Sequence, residues 1–108
     1  EQLLSRDKAK KILEICAKYD TLQEVYFDGQ GYAEAEKMLH VERYHHNPNM
    51  WEYIRTTRIP TEDIFGLVDR ESRSLDKVQA LFADLDERAR AWKELETLEE
   101  VEIVGSLK

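Results

Sequence analysis

The chain has 108 residues, 42% hydrophobic and 36% charged, and 23 acidic against 16 basic side chains give it a formal net charge of −7. That length suits one domain with a modest core, and the apolar share argues for folding rather than disorder. The negative balance disfavours nonspecific nucleic-acid binding and adhesion to anionic membranes, since both need cationic surface.

Cys16 is the only cysteine, which excludes an internal disulfide and a Cys-based zinc site and points to the cytoplasm or another reducing compartment. No run of about 18 apolar residues occurs, so no membrane insertion is expected. There is no signal-peptide pattern, and a start at Glu1 rather than Met leaves a trimmed end open.

Residues 3–19 read as a first helix, with Ala9, Ile12, Leu13, Cys16 and Tyr19 on one face and Lys8, Lys10, Lys11 and Lys18 on a basic, solvated one. Cys16 on the apolar face reads as a small buried hydrophobe.

Residues 20–31 form a break. Thr21 followed by Glu24 resembles a capping box opening a short helix. Val25, Tyr26 and Phe27 before Asp28-Gly29 also read as a strand running into a turn. The short helix or irregular turn is favoured. The DGQG stretch lacks the lysine of a phosphate loop, and Tyr26 and Ala35 stand where an EF-hand needs oxygen ligands, so it reads as a plain turn.

Residues 32–45 read as a second helix with Ala35, Met38 and Leu39 inward. Asn47-Pro48 ends it and starts a third that runs to Thr57. Ile59-Pro60 breaks that helix. Thr61 is placed as the cap of a fourth, with Ile64, Phe65, Leu67 and Val68 as core candidates, and residues 69–73 bend into the next element.

Residues 74–98 carry the longest helical pattern. Leu75, Val78, Phe82, Leu85, Ala89 and Trp92 step by three and four, with no Gly or Pro between them and Ser74 as N-cap. Leu81 and Leu95 widen the stripe beyond a coiled-coil seam, favouring a helix packed in a bundle. Such a helix would be about 37 Å long, against about 34 Å for the width of a domain of this size. Its end would project, carrying Trp92, Leu95 and Leu98 with little of the chain left to cover them. Val101, Ile103 and Val104 in the acidic tail, 99–108, could add a strand if an edge were offered.

The expected fold is therefore mainly α: one helical domain, 1–108, built as an irregular small bundle of four to five helices around one long C-terminal helix, optionally with a short terminal β-strand. No catalytic residue, metal or cofactor is assigned. His40, Glu42, His45 and His46 are weak metal candidates, because Glu42 and His45 share a helix side while His40 and His45 point about 140° apart.

The function expected from this reading is a non-catalytic protein-protein interaction module, such as a small helical subunit or adaptor docking onto a larger complex. It would meet a protein partner, or itself, through the C-terminal half of the long helix, with Trp92, Leu95, Leu98, Val101, Ile103, Trp51 and Tyr53 at the interface. The alternatives are an acidic inhibitor or immunity-type protein blocking a basic site, and a small metal-dependent enzyme using residues 40–46.

Overall fold

The computed structural model describes residues 5–99, which occupy 33 × 29 × 24 Å with a radius of gyration of 13.2 Å. Among them the chain order is α1 (Arg6–Ala17), β1 (Thr21–Phe27), β2 (Gln30–Glu34), α2 (Ala35–Met38), α3 (Val41–Tyr44), α4 (Pro48–Thr57), β3 (Ile59–Thr61), α5 (Ile64–Arg70), β4 (Leu75–Phe82) and α6 (Leu85–Leu95). This is an α/β fold with a four-stranded mixed sheet, not the mainly α bundle that the spacing predicts.

The sheet order is β3-β2-β1-β4. β1 pairs antiparallel with β2 and with β4, and β3 runs parallel to β2. The hairpin between β1 and β2 turns on Asp28 (φ 52°) and Gly29 (φ 84°). Positive φ at both central residues is the I′ geometry, whose twist matches that of the flanking strands. The strand reading of residues 25–27 is therefore right, and the capping-box helix at Thr21 is not.

A parallel neighbour requires a crossover between the two strands. α2, α3 and α4 supply it. The single helix expected over 32–45 is instead the end of β2 plus two four-residue helices. Asn47 and Pro48 open α4 as expected, the Asn47 side chain accepting the Asn49 N–H at 3.1 Å. The cap of α5 is Asp63 rather than Thr61; its Oδ1 accepts the Gly66 N–H at 3.0 Å, and Thr61 ends β3.

Side chains on β1 alternate between two cores. On one face Val25 and Phe27 join Leu75, Ala9 and Leu13 of α1, and Ile64, Leu67 and Val68 of α5. On the other, Leu22 and Ala33 meet Met38, Val41, Tyr44 and Ile54 from the crossover, with Leu81 of β4 packed against them.

The largest correction concerns residues 74–98. Their first third is a strand and only Leu85–Leu95 is helical. The three-residue step from Leu75 to Val78 has a local cause. Tyr26 pairs with Lys77 and Phe27 with Leu75, so Asp76 is an extra residue in the ladder. In a regular strand Leu75 and Val78 would face opposite ways, but the bulge places both in the same core. Asp84 then caps α6 by accepting the Asp86 N–H at 2.7 Å, and Leu85, placed in the apolar stripe from sequence, is 76% exposed.

Candidate interaction site

The sequence of β1 puts a carboxylate inside the sheet's crossover face. Glu24 follows Leu22 by two, so it points the same way, and it is fully buried. Its Oε1 accepts from Tyr26 Oη at 2.8 Å, Arg58 Nε at 3.1 Å and Gln79 Nε2 at 3.3 Å. Arg58 is the last residue before β3, and its guanidinium lies 5.3 Å from the Tyr26 ring and 5.4 Å from that of Tyr53. Gly31, opposite Tyr26, leaves room for this stack: a Cβ there would sit 2.7 Å from the tyrosine ring and 2.8 Å from Arg58 Cδ. Burial and the Glu24 charge push the Tyr26 hydroxyl above its usual range. All three bonds go to Oε1, the buried Oε2 having no partner among the described residues, and they tie β1, β4 and the start of β3 together across the sheet.

A second cluster sits where α1 passes into β1. Asp20 accepts from Arg43 and from Tyr44 Oη (2.7 Å), with Lys37 Nζ 4.0 Å away. Those hydrogen bonds, Arg43's first, hold its carboxyl below the usual range. Burial, then the bond to Asp20, pushes Tyr44 up to about 12. Beside this pair an open depression of about 590 Å³ is lined by Asp20, Arg43 and the β4–α6 corner at 83–87.

The corner carries the most exposed large apolar side chain among the described residues, Leu85. It is flanked by Asp84 and Asp86, and Glu87 Oε1 accepts the Asp20 N–H at 3.0 Å. β4 leads into it as an eight-residue strand at the outer edge of the sheet, where Val78 through Phe82 are all half-buried. Among the described residues no strand pairs with its outer side.

The interface residues expected from sequence are not gathered in one place. Trp51 packs against the crossover core and donates from Nε1 to the His45 carbonyl. Tyr53 is half-exposed beneath Arg58. Trp92 lies on α6, half-buried, with Arg88 stacked 5.3 Å from its ring and Nε1 donating to Glu96 at 3.1 Å. Leu95 and Leu98 are half-buried. Val101 and Ile103, with the suggested terminal strand, lie outside the described residues.

The histidine segment is dispersed as well. His40 is the exposed residue preceding α3, Glu42 faces Arg55 at 3.4 Å, and His45 and His46 stack with ring centroids 5.8 Å apart. Among the described residues no three of His, Cys, Asp or Glu are placed to hold a metal ion. Cys16 is buried in α1, which pushes its thiol up to about 11 and keeps it protonated.

Sequence reasoning missed Glu24, Arg58, Asp20, Arg43 and the β4 edge. One signal was present: a glutamate among Leu22, Val25, Tyr26 and Phe27, in a stretch ended by Asp-Gly. Comparison with known protein families, curated proteins and solved structures gives no match. No described helix is long and apolar enough to cross a membrane.

Proposed function

We propose that the chain is a non-catalytic protein-interaction module that docks through the outer edge of β4 and the corner at Leu85. The observation that carries this reading is the eight-residue open edge ending in a leucine that is 76% exposed. Open edges are templates for another chain, and proteins that do not use them shorten, charge or cover them. The docking surface expected from sequence shifts accordingly: α6 remains beside it, but the centre moves from Trp92 to β4.

Site-specific photo-crosslinking in the cell that makes the protein tests this. A photoreactive side chain at position 85 should give a discrete protein adduct, and one at Glu14, on the solvent side of α1, should not. No adduct at either position, or the same adducts at both, would overturn the reading.

A further inference from the structure

The β4 edge and the adjoining depression specify more than an interface. We infer that the partner presents an extended segment that adds to the sheet alongside β4 and carries arginine or lysine side chains at the end that reaches α6. This rests on the docking reading above and adds the chemistry of the occupant.

Three observations converge. The first is geometric: an edge strand receives an extended chain by continuing the ladder of backbone hydrogen bonds, so the occupant of β4 is a strand. The second is electrostatic. The depression at the end of β4 holds four carboxylates, from Asp20, Asp84, Asp86 and Glu87, against the single guanidinium of Arg43. Arg43 is already committed to Asp20. Among the described residues no cation pairs with Asp84, Asp86 or Glu87; Asp84 and Glu87 accept only from backbone N–H groups. The helix dipole explains why acids are tolerated here, but its N-terminus is equivalent to only about half a positive charge. The surface therefore remains negative, within a chain of net charge −7.

The third observation gives direction. At the opposite end of β4, Lys77 lies 4.7 Å from the Tyr26 ring, and Asp76 is used by the Gly29 N–H at 2.7 Å. Lys77 and Asp76 offset each other at that end, so the net negative charge that attracts a cation from the partner lies at the other. Leu85, between Asp84 and Asp86, supplies the apolar contact for a side chain between the partner's cations. Basic groups at one end, an apolar residue beside them and a β-forming run behind them define the segment.

The test uses the full chain and a capped nine-residue peptide that alternates threonine and valine and ends in two arginines. A matched peptide ends in two glutamates. Binding is read by titration calorimetry and by residue-resolved amide hydrogen exchange. The arginine peptide should bind, slow exchange at the outward-pointing amides of β4, and weaken as salt is raised. Leu85→Lys and Asp86→Lys alter exposed side chains, so both should stay folded by circular dichroism yet lose about tenfold or more in affinity, about 1.4 kcal/mol.

Absence of binding by the arginine peptide would overturn the inference. So would equal binding of the glutamate peptide, or binding that leaves β4 exchange unchanged. Slow exchange that develops with protein concentration alone would assign the edge to a second copy. Slow exchange in the isolated chain that is lost on deleting residues 100–108 would assign it to the chain's own tail. A crosslink at position 85 without peptide binding leaves the docking reading standing and removes only the basic segment.

Discussion

The two edges of the sheet are built differently. β3 is three residues long and contains Pro60, which has no N–H to offer. It is also anchored from within, because Arg58, the residue before it, reaches the buried carboxylate of Glu24. β4 is eight residues long, has no proline, and leads into an exposed leucine. One edge is short, capped and fastened. The other is long, half-apolar and, among the described residues, open apart from the bulge at Asp76. The sheet has four strands among the described residues, and this difference between its edges is what supports the proposal that a further strand docks at β4.

The fastened side gives the largest expected effect. Arg58→Ala leaves Glu24 buried without its cation, and breaking a buried pair from one side costs about 3–5 kcal/mol. Denaturant unfolding should show that loss. A loss under about 1 kcal/mol would mean that the network does not hold the β3 edge.

Gly31→Ala tests the same side by steric means. Its Cβ would push into the Tyr26–Arg58 stack, and overpacking of this kind costs about 1–3 kcal/mol. Unchanged stability would show that the stack yields freely.

Alkaline unfolding probes the point where both sides meet, at the start of β1. Cys16 is raised from 9.0 to about 11 and Tyr44 from 10.0 to about 12. Because both folded values lie above the ordinary ones, their contribution is fully present below pH 9 and is lost as pH rises toward 12. The unfolding midpoint should fall across that window. Cys16→Ser with Tyr44→Phe should flatten the fall, and an unchanged slope in the double variant would contradict the assignment.

The smallest stability effect belongs to the open corner. Leu85→Lys changes a side chain that is mostly in water, and such changes usually stay within about 0.5 kcal/mol. A larger loss, measured by the same denaturant unfolding, would mean that Leu85 belongs to the fold rather than to a docking surface.

Parts of this architecture were legible from sequence where local chemistry and tertiary packing agree. α1 shows its apolar face, though not its Ser5 cap, and Asn47-Pro48 sets the start of α4. Asp28-Gly29 gave the turn, though not the hairpin that it closes. The rest failed for identifiable reasons. The bulge at Asp76 converts the strand's two-residue alternation into a three-residue step, which imitates a helix from Leu75 to Val78. Asp84 reads like any acid on a helix surface until its bond to the Asp86 N–H marks a cap. The 37 Å helix would also have exceeded the observed 33 Å length of the described chain. Pro60 argued only for a break, because its place on an edge strand depends on the parallel pairing with β2. The Glu24–Arg58 pair spans 34 residues, and no local pattern announces it.

Amide hydrogen exchange on the free chain reads whether β4 is an open edge. In an antiparallel edge strand, alternate N–H groups point to the neighbour and to solvent. Exchange along an open β4 should alternate, slow where the N–H meets β1 and fast at the residues between, with Ala80 and its two neighbours falling into opposite classes. Uniformly slow exchange across all of β4 would mean that the edge is already occupied in the isolated chain, and would contradict an open edge.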